Sequence, residues 1–181
     1  MNRLFLILFV FVMFCACKTN NRDKVEEYKS FVAKYMDQYI YLPDTILPIR
    51  VATNGNTNYL ALKNANKFKI ITSIDGSCHV CLEQLEEWNG IVQECDSTVI
   101  FLCFLNAFDN MTMEMLLEKK SYNFPLIFDY EHSFLKENNI SIHQEIKTFL
   151  LDNNNKVLLV GSPIENPKMW DLYKKRMKQS E

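Results

Sequence analysis

The sequence predicts an α/β domain: a mostly parallel central sheet with a terminal antiparallel hairpin and helices on both faces. Three observations carry this. From residue 68 onward, short apolar runs of strand length alternate with helical periodicities, the pattern of strand–helix units. Val99 to Leu105 is apolar without interruption, as in a strand buried on both faces. The last two runs, Thr148 to Leu151 and Lys156 to Val160, flank Asn153-Asn154-Asn155, where asparagine turns the chain in place of glycine.

The elements follow in order. Val25, Tyr28, Val32, Tyr35 and Tyr39 recur at steps of three and four, which predicts a helix from about Asp23 to Tyr39. Pro43 and Pro48 end that pattern. Ile49-Arg50-Val51 and Asn58 to Leu62 read as strands around an Asn/Gly turn. Phe68 to Ile74 is isoleucine-rich and reads as a buried strand, stopped by Asp75-Gly76-Ser77. A helix follows from about Cys78 to Cys95, with Cys81, Leu85, Trp88, Val92 and Cys95 on one face. Val99 to Leu105 is expected at the centre of the sheet. Met111 to Lys119 reads as a helix, Phe124 to Phe128 as a strand, and Glu131 to Asn138 as a short helix. Asn166 caps a last helix with Pro167 in its first position and Trp170, Tyr173 and Met177 as its apolar stripe. Lys174, Lys175, Arg176 and Lys178 crowd its end, where the helix dipole favours cations.

Composition narrows the function classes. With 181 residues, 48% hydrophobic and 23% charged, the chain has the apolar content of one globular domain rather than a disordered or fibrous one. A net charge of −2 argues against a nucleic-acid backbone as partner. Six cysteines are too few for a disulfide scaffold and are unevenly placed.

The first segment reads as an address. Leu4 to Ala16 is uncharged and follows Arg3, giving the n- and h-regions of a signal peptide. It is shorter than the ~20 residues that span a bilayer. The run turns polar at Lys18. Residues 1–16 resemble a bacterial lipoprotein signal, with Ala16 before Cys17, the residue to be lipidated. This implies residues 17–66 as tether and extension and residues 67–178 as the main domain. It also implies a lipid-anchored place in the cell envelope, facing the periplasm or the outer surface. Disulfides persist there, so a CxxC is read as redox-capable before zinc-binding.

Cys78-His79-Val80-Cys81 lies between a strand and a helix. A thiolate at a helix N-terminus meets unpaired amides and the positive end of the dipole. That makes Cys78, at the exposed helix start, the attacking nucleophile. Cys81, one turn in and on the face of Leu85 and Trp88, is the resolving thiol. His79 is placed to modulate the pair. Cys95 and Cys103 read as core thiols, with a disulfide between them left open. Trp88 and Trp170 read as core anchors, and Glu83, Glu86 and Glu87 as a solvated face. His132 opens a helix with no partner in view.

From Lys69 through the CxxC, Val99 to Leu105, Phe124 to Asp129 and the final hairpin, the chain resembles the thioredoxin-like superfamily. Within it, the chain is most similar to exported TlpA-like thiol–disulfide oxidoreductases. The resemblance implies exchange of disulfides in exported proteins, an upstream membrane electron donor and no cofactor. Three positions depart from it. Ser77 stands where the family has an aromatic, and Thr72 where some members have an acid. Ile146 stands where the family has a cis-proline; a cis bond before a non-proline residue costs ~3 kcal/mol. A second reading is therefore a non-catalytic envelope-binding lipoprotein. A third is a copper-handling site of Cys78, Cys81 and His143.

Overall fold

A computed structural model describes residues 22–44, 58–106, 122–164 and 166–179. The chain divides into two units, residues 1–36 and 37–181. In the first, residues 22–35 form helix α1. Phe31 and Tyr35 lie one turn apart with ring centroids 4.6 Å from each other, and Lys29 pairs with Glu26 at 2.8 Å. The helix stops four residues short of the expected Tyr39. Asp37 adopts left-handed backbone (φ 62°), which a right-handed helix does not continue through.

The second unit carries α2 (Tyr59–Lys63), β1 (Phe68–Asp75), α3 (His79–Gln93), β2 (Val99–Asn106), β3 (Leu126–Phe128), α4 (Ser133–Glu137), β4 (Thr148–Leu151), β5 (Val157–Val160) and α5 (Pro167–Gln179). The five strands form one sheet in the order β3-β2-β1-β4-β5. β2 and β3 run parallel to β1, while β4 and β5 form the antiparallel hairpin. The predicted architecture is present with one correction. The centre is β1, not β2, because the hairpin returns to the free side of β1, where Thr72 lies opposite Thr148.

Local chemistry explains where the elements differ from expectation. Asn58 to Leu62 is not a strand. The Asn58 side chain accepts the Leu60 amide at 3.0 Å and opens the short helix α2, as asparagine does at a helix N-cap. β3 starts only at Leu126, after Pro125, which has no amide to give a ladder. α4 begins at Ser133, where the buried Asp129 carboxylate accepts the amides of Ser133 (2.8 Å) and Phe134 (2.9 Å). α5 starts as expected, with Asn166 Oδ1 accepting the Met169 amide at 3.3 Å. Asn155 turns the hairpin at φ 65°. The expected strand at 49–51 and the helix at 111–119 lie outside the described residues.

Both faces of the sheet are covered. On one, Ile70, Phe101, Leu126 and Leu150 pack with Leu85 and Trp88 of α3 and with Trp170 and Tyr173 of α5. Trp170 Nε1 donates to Glu94 at 2.7 Å, and Tyr173 donates its buried hydroxyl to the Gly161 carbonyl at 2.7 Å. On the other face Phe104 stacks on Phe134 of α4 at 4.5 Å and meets the edge of Tyr59 of α2 at 6.4 Å. Each such buried ring contributes about 1.5–3 kcal/mol through apolar burial alone. The sheet continues past β5 into residues 37–40: the Asp37 amide donates to Val157 at 3.2 Å, Val157 to Gln38 at 2.8 Å, and Ile40 to Asn155 at 2.9 Å. Tyr41 then exchanges two hydrogen bonds of 2.8 Å with the Asn138 side chain at the end of α4.

Candidate active site

Parallel pairing brings the C-terminal ends of β1, β2 and β3 to one rim, the end of an α/β sheet that commonly carries the site. The turn from β1 into α3 is tied to that rim. The Gly76 amide donates to the Asn106 carbonyl at 2.7 Å, and the Cys78 amide to the Asp75 carbonyl at 3.3 Å. The Asp75 carboxylate accepts the Ser77 amide at 2.9 Å and the Ser77 hydroxyl at 2.6 Å. Burial raises the Asp75 carboxyl, but these Ser77 bonds, with Lys147 and His132 beyond them, outweigh it and hold it below its ordinary value. Burial likewise lowers the Lys147 ammonium, with Asp75 opposing. Lys147 donates to the Ile142 carbonyl at 2.6 Å.

This turn delivers Cys78 as the N-cap of α3. Its Sγ accepts the Cys81 amide at 3.3 Å. Cys78 and Cys81 form a disulfide, with Cα atoms 5.1 Å apart, within the range such bridges require. Both cysteines are half-buried, so exposure does not separate them as the sequence predicts. Position does. Cys78 Sγ lies on the open amides of the helix start, whereas Cys81 packs against the core beside Leu85. Val80 between them is 67% exposed. A thiolate formed at Cys78 on reduction meets an N–H donor and the positive end of α3.

The remaining candidates scatter. His79 opens α3, but its side chain lies outside what is described, as does Cys17. Ile146 is half-buried in the segment that enters β4, and the next carbonyl, Lys147, accepts the Ser73 amide at 3.1 Å. Thr72 bonds Thr148 between their hydroxyls at 2.9 Å, so the position compared with an acid holds a neutral buried pair. His143 is exposed, and among the described residues no three His, Cys, Asp or Glu side chains converge as a metal site. The copper triad is therefore not assembled. Cys95 and Cys103 are both free thiols, so they form no disulfide. Burial pushes Cys95 up to about 11 and Cys103 further still.

Two residues at the rim escaped the sequence reading of the site. Asn106, buried at the end of β2, donates to Ser73 Oγ at 3.0 Å. His132, after β3, holds left-handed backbone (φ 53°) with a buried Nδ1. A cleft of about 500 Å³ lies at the opposite end of β1 and β2, lined by Asn66, Phe68, Thr98 and Asp152 among others, and contains neither cysteine.

No family model and no curated protein sequence matches the chain. Solved structures do match it. A Chlorobium tepidum protein described as a thiol:disulfide interchange protein DsbE superposes with TM-score 0.56 at 13% identity, over 80% of this chain and 97% of that one. The fold is thioredoxin-like. A thiol-disulfide isomerase from Corynebacterium glutamicum shares the thioredoxin-like fold with TM-score 0.55 at 14% identity, over 75% of this chain and 96% of that one. The exposed lipoprotein thioredoxin Etrx1 of Streptococcus pneumoniae matches with TM-score 0.53 at 14% identity, over 70% and 98%. Among the described residues, no helix is long and apolar enough to cross a membrane.

Proposed function

We propose that this protein is a thiol–disulfide oxidoreductase of the cell envelope, held to a membrane by lipid on Cys17. The observation that carries the reading is the Cys78–Cys81 disulfide with Cys78 as the N-cap of α3. An upstream membrane donor reduces the pair. The Cys78 thiolate attacks a substrate disulfide, and one substrate sulfur leaves as thiolate. Cys81 then attacks Cys78 in the mixed disulfide, restoring the bridge and releasing the second substrate thiolate. Two electrons pass to the exported protein, and no cofactor takes part.

The test is turnover of a disulfide-bonded reporter peptide with a dithiol donor. The wild type is expected to turn over, Cys78→Ser to be inactive, and Cys81→Ser to trap a mixed disulfide. Loss of membrane fractionation in Cys17→Ser checks the anchor. One observation favours a second reading, a non-catalytic binding lipoprotein: Ile146 occupies the position compared with the cis-proline, at the segment beside β1. An ordinary Cys78 thiol with a pKa near 8.5 and no turnover by any variant would select it.

A further inference from the structure

The cleft of about 500 Å³ at the other end of the sheet has the size of a small-molecule site, ~300–1,000 Å³. It is well separated from the cysteines. Phe68 opens β1 on its side and Asp75 closes β1 on theirs, and a strand of that length spans about 23 Å. The apolar part of the cleft is Phe68 and Leu158, both packed on the core. Around them stand amide and hydroxyl side chains and one pair of opposite charges, Lys67 and Asp152.

The rim is held by bonds that leave much of its polar capacity open. Asn153 donates to Asn66 Oδ1 at 2.7 Å, joining the hairpin turn to the chain that enters β1. Asp152 Oδ1 accepts the amides of Asn154 and Lys156, both at 2.8 Å. Among the described residues, the Asn66 amide nitrogen, Asn153 Oδ1, Asp152 Oδ2 and the Ser97 hydroxyl make no hydrogen bond, and all four side chains reach solvent. The nitrogen donates, the two oxygens accept, and the hydroxyl does either. A pyranose ring matches this mixture: its edge carries hydroxyls that donate and accept, and its face carries C–H groups suited to an apolar floor. A charged ligand finds little field to meet, because Lys67 and Asp152 offset each other. A peptide strand finds no ladder to join, because the cleft lies at strand ends rather than along a margin of the sheet. We propose that the cleft binds a neutral saccharide of one or two rings, independently of the Cys78–Cys81 pair. Asn66, Ser97 and Asp152 hold its hydroxyls, and Phe68 and Leu158 take its C–H face. Because the rim is already fixed, little ordering is lost on binding.

The experiment is a titration of the purified full chain with maltose, N-acetylglucosamine and diacetylchitobiose, followed by amide chemical shifts. Glucose 6-phosphate and a blocked neutral tetrapeptide serve as controls. At least one of the three sugars is expected to shift residues 66–68, 97–98 and 152–153 in a saturable way, with Kd of about 1 mM. Ser97→Ala should weaken that binding about threefold, and Ser97→Ala with Asn66→Ala about tenfold. Ser97 makes no bond that the fold needs, so its variant separates binding from stability. Exchange of the Cys78–Cys81 disulfide with glutathione should be the same with and without sugar. No saturable shift with any of the three sugars overturns the inference. So do shifts outside the cleft, equal affinity in the Ser97→Ala variant, or tighter binding of either control. None of these outcomes bears on the redox reading, which fails only if the disulfide does not exchange.

Discussion

Lys69 is 1% exposed at the start of the central strand, and its ammonium donates to the Ala65 carbonyl at 3.0 Å. An ammonium has three donors, and burying it so thinly paired is costly. Burial lowers its pKa, with Asp152 partly opposing. Lys69→Met should therefore stabilise the protein by about 1 kcal/mol or more at neutral pH, as read by urea unfolding. The sign with pH is fixed. Between the lowered folded value and the ordinary 10.5, the unfolded chain binds more protons. Wild-type stability climbs with pH there, so the advantage of Met narrows. The cysteines make a second case. With Cys95 pushed up to about 11 by burial, roughly a thousandth of it is thiolate at pH 8. Alkylation of the reduced native protein should label Cys78 first, Cys95 slowly and Cys103 only on unfolding, as counted by mass spectrometry.

Among the elements, α4 is five residues long and depends on one side chain. Asp129 caps it through two amides from a buried position. Asp129→Ala should cost about 1–2 kcal/mol and loosen the Phe134–Phe104 stack, visible as faster amide exchange in α4. Tyr173→Phe removes the buried hydroxyl bond to Gly161 and should cost about 1 kcal/mol without touching the dithiol. Legibility also varied by element. β1, β2 and the CxxC helix could be read because each carries its signal within its own residues: an unbroken apolar run, or a strand, turn and cysteine pair in succession. α2 could not, because five residues carry too little periodicity, and its partners, Phe104 and the Pro43 carbonyl, are distant in sequence. Asn106 and the burial of His132 Nδ1 were missed for the same reason. Their meaning lies across three strand ends, not along the chain. The half-burial of both Cys78 and Cys81 was missed because local pattern places a residue on a helix face but not under its neighbours.

For the whole molecule, Asp75 links acid stability to the turn that carries the Cys78–Cys81 pair. Its carboxyl lies below 3.8 in the folded state, so its contribution is full above the unfolded value and lost as pH falls through the lowered folded one. Thermal unfolding of wild type and Asp75→Asn should differ at neutral pH and converge below that window. Asp96→Asn should converge with the wild type in the same direction, because the Thr98 hydroxyl and amide hold the Asp96 carboxyl below its ordinary value as Ser77 holds Asp75.

The pairing of residues 37–40 along β5 has a further consequence. An outer strand with open amides is a template on which another chain can add itself. Here one margin is already occupied by the chain's own entering segment, and the other is β3, three residues long and interrupted in front by Pro125. Among the described residues, a visiting polypeptide thus finds little ladder to extend at either margin. Growth into fibrils by strand addition is discouraged by the same arrangement, while Val80 stands in solvent between the two cysteines of the disulfide.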